Sequence, residues 1–234
     1  MDIPHEIAEL TSKYTNIPPE EVLKQIGYQY SGKVIFSTSF SLEDQVITDM
    51  VFRNDIPIKV FTIDTGRLFP EIYKVFNQTI EKYKNKITVY FPDTQSIENL
   101  ITQKGPFSFY HSVENRKECC HVRKVKPLER AIKGYTCWIS GIRAEHSEER
   151  GKQELFMWDD KHQIIKFSPL LNWDNKVIRN YLSDHRVPYN EMYDKGFTSI
   201  GCLPCTRITK PGEDPRAGRW WWENNSKKEC GLHS

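Results

Sequence analysis

One stretch of sequence decides the fold of this chain: Lys33-Val34-Ile35-Phe36-Ser37-Thr38-Ser39-Phe40-Ser41-Leu42-Glu43-Asp44. A short, β-rich apolar run leads through a turn rich in hydroxyl groups directly into a helix-like stretch. Because free N–H groups and the dipole at a helix N-terminus favour an anion, Ser37 and Ser39 are candidate ligands of a nucleotide phosphate. Ser41 with Asp44 fits an ordinary helix cap equally well. No Walker lysine or P-loop glycine follows, which excludes ATP hydrolysis by a P-loop mechanism.

Apolar, β-rich runs alternate with helix-like stretches along the rest of the chain. The predicted strands are Lys33–Phe36, Ile58–Ile63, Ile87–Phe91, Thr136–Ser140 and Ile164–Phe167. The predicted helices lie near Leu42–Phe52, Pro70–Lys84, Gln95–Thr102, Arg123–Ile132 and Asn175–Asp184. This order predicts an α/β fold with a mainly parallel sheet that helices cover on both faces.

Length and composition fit a single domain over residues 1–234. We divide it into a helical lead-in (1–27), an α/β nucleotide-binding core (28–196) and an irregular C-terminal segment (197–234), where the periodic pattern stops. The 33 basic and 31 acidic residues leave a net charge of +2, so neither nucleic acid nor a membrane is an expected partner. No apolar run is long enough to cross a bilayer, and the start Met1–Glu6 does not resemble a signal peptide. We therefore expect a cytoplasmic protein.

Two further strand ends carry polar turns that contain glycine. Asp64-Thr65-Gly66-Arg67 follows the second predicted strand, and Gly141-Ile142-Arg143 follows the fourth. Ligands of open parallel sheets bind beyond the carboxyl ends of the strands, so we expect Asp64, Thr65 and Arg67 to neighbour the hydroxyl-rich turn and help form a nucleotide pocket. An Asp/Gly turn before a helix that starts with proline explains the first turn equally well.

Four of the six cysteines form two close pairs, Cys119-Cys120 and the CxxC of Cys202 and Cys205. In a reducing cytosol such pairs indicate metal binding or thiol chemistry rather than disulfides. Two pairs supply the four thiolates that an iron–sulfur cluster needs, while zinc and a thioredoxin-like dithiol are the alternatives. Adjacent cysteines are awkward for one tetrahedral zinc because neighbouring side chains diverge, and this favours iron–sulfur.

The two remaining cysteines have different surroundings. Cys137 lies in a predicted strand and is interpreted as a buried structural residue. Cys230 lies in a small, basic segment suited to a reactive thiolate, with His233 as a candidate to orient substrate or tune the thiol. Upstream of it, Arg216 and Arg219 are candidates to recognise phosphate or sulfate, since guanidinium groups bind these anions with two hydrogen bonds. The run Trp220–Trp222 favours core or interface packing over base stacking.

Together these motifs closely resemble the thioredoxin-dependent assimilatory adenylyl-sulfate (APS) and phosphoadenylyl-sulfate (PAPS) reductases. The resemblance covers roughly residues 31–233 and rests on the Ser37–Asp44 loop, the Cys119–Lys124 segment, Ser199–Thr206, the Arg216/Arg219 segment and Glu229–His233. It implies an adenine nucleotide α-hydrolase-like (PP-loop) fold and one 4Fe-4S cluster on Cys119, Cys120, Cys202 and Cys205. A chain that keeps these cysteines is similar to the cluster-bearing branch, which generally prefers APS; PAPS as the main or an equal substrate is the alternative.

The resemblance also implies a reaction. The Cys230 thiolate would attack the sulfur of the nucleotide's sulfate, release AMP and leave an S-sulfocysteine, from which thioredoxin or glutaredoxin would release sulfite. Lys124 would lie between the cluster and the sulfate. The residues implied to bind substrate are Ser37, Ser39, Asp64, Thr65, Lys124, Gly141, Arg143, Arg150, Arg216, Arg219 and His233.

Two other functions are weighed against this one. The same fold hosts PP-loop enzymes that adenylate a substrate with ATP, but Ser37–Ser41 lacks the Ser-Gly-Gly core of that loop. A non-catalytic iron–sulfur sensor of nucleic acid or protein is disfavoured by the near-neutral charge and by the reactive setting of Cys230. The sequence leaves open whether the chain forms a homo-oligomer.

Overall fold

The computed structural model of this protein describes residues 3–146, 151 and 153–223. These residues divide into two compact units. The first comprises the residues up to Thr62 together with Ile72–Thr88 and Gly134–Asn190, and the second comprises Ile63–Glu71, Val89–Lys133 and the residues from Glu191 onward. Because the second unit takes its residues from three separate parts of the chain, its limits differ from those of the three predicted segments. That the chain is one domain stays a prediction.

The helices are α1 (Ile3–Tyr14), α2 (Pro19–Gln29), α3 (Leu42–Arg53), α4 (Pro70–Tyr83), α5 (Thr94–Lys104), α6 (Val113–Cys120), α7 (Lys126–Ile132) and α8 (Asn175–Asp184). The strands are β1 (Val34–Ser37), β2 (Lys59–Ile63), β3 (Thr88–Tyr90), β4 (Cys137–Ile139), β5 (Phe156–Asp159) and β6 (Ile164–Phe167). The five predicted strands and the helical lead-in are confirmed. In the described residues no helix has the length and apolar character needed to cross a membrane; the cytoplasmic location stays a prediction.

The strands form a six-stranded sheet in the order β3-β2-β1-β4-β6-β5. β1 pairs in parallel with both β2 and β4, and β4 pairs in parallel with β6. β5 pairs antiparallel with β6. The predicted α/β fold with a mainly parallel sheet is therefore confirmed. The strand order reverses between β1 and β4, and such a point is where open α/β sheets bind ligands.

Three parts of the structure differ from the sequence-based expectation. One is α6, for which the sequence predicted no helix. β5 was not predicted, because the alternation of strands and helices does not include a hairpin; antiparallel strands need only a short turn between them. The predicted helix near Arg123–Ile132 begins as a π-helical turn over His121–Val125, which continues α6 into α7. Such widened turns often occur at functional sites.

Residues Leu42–Phe52 of α3 are buried, so the charged side chain of Asp49 lies in the interior of the first unit. The Asp49 carboxylate accepts hydrogen bonds from the hydroxyls of Tyr83 on α4 (2.6 Å) and Tyr181 on α8 (2.8 Å) and from Arg53 Nε (3.2 Å). Burial and this carboxylate raise the pKa of Tyr83, which therefore stays a neutral donor. The Asp49 contacts join α3 to α4 and α8, because a buried carboxylate is tolerated only when donors surround it.

We expect Asp49→Asn to lower the free energy of unfolding by about 1–3 kcal/mol, because an amide offers one acceptor oxygen where two phenols donate. Urea denaturation monitored by circular dichroism measures the change. The control is Asp55→Asn, an exposed position at φ 48°, which asparagine tolerates and where the expected change is below about 0.5 kcal/mol. Equal stability of the two variants would contradict the assigned role of Asp49.

Candidate active site

In the first unit, the turn between β1 and α3 is organised by Asp44. Its carboxylate Oδ2 accepts hydrogen bonds from both the backbone N and the hydroxyl of Ser39, each at 2.7 Å. The hydroxyl of Ser41 accepts from the backbone N of Asp44 at 3.1 Å, which confirms that Ser41 caps α3. Burial raises the pKa of Asp44, and the Ser39 contacts oppose that rise. Phe40, at φ 59°, closes the turn in the left-handed region.

The hydroxyl groups of the two predicted phosphate ligands in this turn both contact protein atoms. Ser37 Oγ accepts from Trp138 Nε1 at 2.8 Å and donates to the carbonyl of Ile139 at 3.4 Å. The hydroxyl proton of Ser39 goes to Asp44. A phosphate would thus have to compete with protein acceptors for both hydroxyl protons. Phosphate binding by Ser37 and Ser39 stays a prediction.

The turn after β4 lies against the turn after β1. A Cβ added at Gly141 would approach Asp44 Oδ1 to 2.3 Å, so only glycine fits there. Arg143 is buried and donates from Nε to Glu43 Oε1 at 2.8 Å and from Nη1 to the Trp173 carbonyl at 2.9 Å. The carboxylate of Glu43 therefore compensates the charge of Arg143.

In the second unit, the Asp64–Arg67 segment forms a side-chain-stabilised turn. Asp64 Oδ1 accepts from Gly66 N at 2.8 Å, and Thr65 Oγ1 accepts from Arg67 N at 3.2 Å. The interpretation as an Asp/Gly turn is confirmed. The same Thr65 hydroxyl lies 3.3 Å from Cys202 Sγ, and Leu203 N donates to the Arg67 carbonyl at 2.8 Å. This turn is thus part of the surroundings of the CxxC.

The two cysteine pairs come together in the second unit. Cys119 and Cys120 are the last two residues of α6, while Cys202 precedes a short 3-10 turn and Cys205 is its last residue. All four are buried in one apolar cluster, where their neighbours are Leu100, Phe109, Val122 and Trp220. Each described cysteine is free of disulfides. Over residues 3–146, 151 and 153–223, no group of three or more His, Cys, Asp or Glu side chains is arranged to hold a metal ion.

Burial and nearby positive charges shift the pKa values of these thiols in opposite directions. Burial raises the pKa of Cys119, and burial together with Cys202 raises that of Cys205 to about 12. Burial also opposes ionisation of Cys202, but the charge of Lys124 and the Thr65 hydroxyl, with smaller contributions from two arginines, lower its pKa. Of Cys119, Cys202 and Cys205, Cys202 is therefore the thiol most readily converted to a thiolate.

Two buried guanidinium groups next to the cysteines have N–H groups that no described atom accepts. Arg123 donates from Nη1 to the Thr65 carbonyl at 2.6 Å, while its Nε has no partner in the described residues. Arg219 lies so close to Gly201 that a Cβ there would meet Nη2 at 2.2 Å, and its Nε is likewise unsatisfied by the described atoms. Buried, unpaired donors are costly, so their presence favours an anionic ligand nearby.

Three further predicted residues, Trp220, Arg216 and Cys137, can be placed by their burial and contacts. Trp220 is buried, and its backbone N donates to the Cys205 carbonyl at 3.1 Å; the prediction of core packing is confirmed for this tryptophan. Arg216 is half-buried, with its backbone N donating to Asp214 at 2.7 Å. Cys137 is buried in β4, where burial raises its pKa to about 12, which confirms it as a structural residue.

The predicted site residues are divided between the two units. Ser37, Ser39, Gly141 and Arg143 belong to the first unit. The second holds the four paired cysteines, Asp64, Thr65, Lys124, Arg216 and Arg219. Arg150, Cys230 and His233 lie outside the described residues, so their roles stay predictions.

Sequence reasoning missed two contacts of the site. Glu43 was not identified as the partner of Arg143, since an acidic residue in the first turn of a helix is ordinary. Tyr110, whose hydroxyl donates to the Pro204 carbonyl inside the CxxC at 2.7 Å, carried no local signal, because the two residues are 94 positions apart.

Comparison with known proteins identifies one family. Residues 33–208 match the phosphoadenosine phosphosulfate reductase domain. An adenosine 5'-phosphosulfate reductase of Sinorhizobium fredii (strain USDA 257) is 46% identical over 86% of this chain and 80% of its own length. One from Burkholderia cepacia is 39% identical over 96% of this chain and 89% of its own length.

Solved structures give the same result. A phosphoadenylyl-sulfate reductase from Candida auris in complex with phosphate superposes with a TM-score of 0.74 at 26% identity, covering 86% of this chain and 96% of that one. An FMN adenylyltransferase from Candida glabrata, with a TM-score of 0.55 at 17% identity, covers 94% of this chain and 83% of that one. The second likeness shows the fold alone, which is that of the PP-loop adenylyltransferases.

Gly141→Ala tests the packing of the two turns in the first unit. We expect the new Cβ to displace Asp44, to lower the free energy of unfolding by about 1–3 kcal/mol and to weaken AMP binding about tenfold or more. Thermal unfolding and isothermal titration calorimetry measure these changes. Gly151→Ala is the control, because its Cβ would lie an ordinary 3.8 Å from the nearest atom. Unchanged AMP affinity in Gly141→Ala would argue against nucleotide binding at this turn.

Proposed function

Because this chain belongs to the phosphoadenosine phosphosulfate reductase family, and is therefore an oxidoreductase, we propose that it reduces adenylyl sulfate to sulfite and AMP with thioredoxin as electron donor. The observation that carries the proposal is the burial of four free thiols in one cluster, beside cationic side chains. The names of the similar bacterial proteins support APS as the substrate. The likeness to a phosphoadenylyl-sulfate reductase makes PAPS the competing substrate.

By the chemistry of their donor atoms the four buried thiols suit a 4Fe-4S cluster, although over the described residues they are not arranged to hold a metal ion. They provide four soft ligands in apolar surroundings, and Lys124 favours the thiolate form of Cys202 that a metal requires. Unsatisfied N–H groups on Arg123 and Arg219 suit a neighbour that carries negative charge. When bound, the cluster would supply a fixed negative charge beside Lys124, whereas the two electrons of the reaction come from the reductant.

The proposed first step takes place at Cys230. Its thiolate attacks the sulfur of the sulfate group, a bond forms between the two sulfur atoms, and the sulfur–oxygen bond to AMP breaks with AMP as the leaving group. Lys227 and Lys228, its neighbours in sequence, would favour the thiolate. Arg216 and Arg219 would offset the charge of the substrate, and Lys124 would hold the sulfate.

The proposed second step regenerates the thiol. A thiolate of thioredoxin, or of glutaredoxin, attacks Cys230 Sγ, and sulfite leaves with the electron pair of the sulfur–sulfur bond. The second thiol of the reductant then breaks the mixed disulfide, so that the reductant is oxidised and Cys230 is restored. The chain therefore needs a dithiol protein as its partner.

In the first unit, Ser37, Ser39, Gly141 and Arg143 are proposed to bind the nucleotide, with Arg150 as a further ligand. The Glu43 carboxylate compensates the charge of Arg143, so Arg143 would contribute directed hydrogen bonds rather than net positive charge. Asp64, Thr65 and His233 complete the proposed set of substrate-binding residues. The Thr65 hydroxyl lies against Cys202, which would link it to the cluster as well.

Cys230→Ser is the first test of the reaction. We expect sulfite release from APS with thioredoxin to fall by at least about a thousandfold, because a serine hydroxyl is a far weaker nucleophile. Intact mass after APS without reductant should show one added SO₃ group in the wild type and none in the variant. Anaerobic assays with APS and PAPS rank the two substrates. If iron-containing wild-type protein forms no adduct with either one, the reductase proposal is wrong.

Cys202→Ser tests the cluster. We expect it to lose most of its iron and acid-labile sulfide and to unfold at a lower temperature, because binding of metal by these ligands is coupled to folding. Cys137→Ala, which changes a buried cysteine outside the cluster, should retain both iron and sulfide. Zinc without sulfide in the wild type, or unchanged iron in Cys202→Ser, would refute the cluster assignment.

A further inference from the structure

The second unit exposes an aromatic surface that none of the proposed catalytic, substrate-binding or cluster roles explains. We define it as Phe107, Tyr110, Leu203, Trp221 and Trp222. Phe107 is 58% exposed, Trp221 49%, Leu203 47% and Tyr110 37%, while Trp222 is half-buried. Large apolar side chains grouped on a surface are typical of binding sites, whereas single ones are common everywhere.

Ring contacts make this aromatic surface continuous. The ring centroids of Phe107 and Tyr110 lie 6.3 Å apart, those of Tyr110 and Trp222 lie 4.4 Å apart, and those of Trp222 and Trp221 lie 5.7 Å apart. The Tyr110 hydroxyl donates to the carbonyl of Pro204, the residue that follows Leu203 in the chain. Four aromatic residues thus present one apolar face beside the CxxC.

The aromatic surface is held in place by packing on the buried core and by an adjacent buried ion pair. The Tyr110 ring packs at 4.4 Å on Phe109, which is buried in the cluster that contains the four cysteines, and Trp222 packs against the same cluster. The next residue, Glu223, accepts two hydrogen bonds of 2.9 Å from Arg116. Both side chains of this ion pair are buried, at 2% and 5% exposure. A surface held in this way loses little conformational entropy when a partner binds.

The position of Glu223 restricts where Cys230 can be. Cys230 lies seven positions after Glu223, and even a fully extended chain of that length spans only about 25 Å. Any protein that attacks Cys230 Sγ must therefore come within about 25 Å of Glu223, which directly follows Trp221 and Trp222 in the chain. A standard interface covers about 800 Å² on each partner, so a protein docked there would readily reach the aromatic surface.

We propose that the aromatic surface is the docking site of the dithiol protein that reduces the Cys230 adduct. This inference rests on the proposed function and adds the place where the partner binds. Tryptophan and tyrosine dominate the energetics of protein interfaces, and both are present. The chain's own segment 224–234 is a poor occupant, because Leu232 and Cys230 are its apolar side chains among Asn, Ser, Lys, Glu, Gly and His.

Docking at this surface leaves the chemistry as proposed above. The partner's thiolate forms a bond with Cys230 Sγ, the bond between Sγ and the sulfonate sulfur breaks, and sulfite leaves. The partner's second thiol then closes its own disulfide and releases Cys230. The aromatic surface takes part in none of these bonds; it raises the local concentration of the partner's thiolate at the tail that carries Cys230.

The experiment uses the iron-containing full chain with Phe107→Ser and Trp221→Ser combined. Both side chains are exposed, so the variant should fold. Neither is a proposed catalytic residue, so the chemical steps should be unaffected. We expect KM for thioredoxin to rise about tenfold or more, because these rings are proposed anchors of the interface. The rate of adduct formation from APS without reductant should stay unchanged, and so should sulfite release from the adduct by dithiothreitol. Phe91→Ser is the matched control, since Phe91 is 55% exposed and has no ring contact with the aromatic surface.

Each other outcome overturns the inference. An unchanged KM for thioredoxin, or an equal rise in Phe91→Ser, means that the partner docks elsewhere. Slower adduct formation without reductant means that the aromatic surface holds the chain's own segment 224–234. A change of oligomeric state in size-exclusion chromatography with light scattering means that it binds a second copy of the chain. Absence of the adduct in the wild type would instead refute the proposed function itself, so the two failures are distinguishable.

Discussion

The second unit depends on the burial of four thiols in a single apolar cluster. Cys119, Cys120, Cys202 and Cys205 come from two distant parts of the chain, and the surrounding core consists of a few aliphatic and aromatic residues. Burial alone disfavours thiolates, as the raised pKa of Cys119 and Cys205 shows. Nearby cations act against this effect, and the charge of Lys124 lowers the pKa of Cys202 more than that of any other cation. The chemistry of this unit follows from the balance between an apolar core and the positive charges beside it.

The first unit is built on a different constraint, the close contact between two turns at the point where the strand order reverses. Asp44 is central because its carboxylate binds Ser39 on one side and leaves no room for a side chain at position 141 on the other. The neighbouring Glu43 pairs with Arg143. Two carboxylates thus hold a turn where the sequence suggested an anion site, so the groups that would bind a nucleotide are already oriented by protein contacts.

Local patterns predicted most of the elements and failed at particular places. The runs that became β1, β2, β3, β4 and β6 were identified, because buried parallel strands are continuous apolar segments. β5 escaped because a hairpin at the sheet edge breaks the alternation of strands and helices. The tandem cysteines were expected near a helix that begins after them, whereas they end α6 and lead into a π-helical turn. Thr65 is predicted to line a nucleotide pocket, and its hydroxyl contacts Cys202. A hydroxyl can serve both roles, so the part of Thr65 in nucleotide binding stays a prediction.

The sequence by itself determined what neighbouring residues decide: the strand, turn and helix around Ser37–Asp44, the cap at Ser41, and the presence of four cysteines in two close pairs. These depend on propensities and side-chain chemistry within a few positions. The tertiary structure alone decided which distant side chains meet. Thr65 meets Cys202 across 137 positions, Arg143 meets Glu43 across 100, and Arg116 meets Glu223 across 107. The aromatic surface likewise exists only in the folded chain. Such contacts have no local signal, because the packing of whole elements brings them together and many sequences with the same local pattern would pair their charges differently.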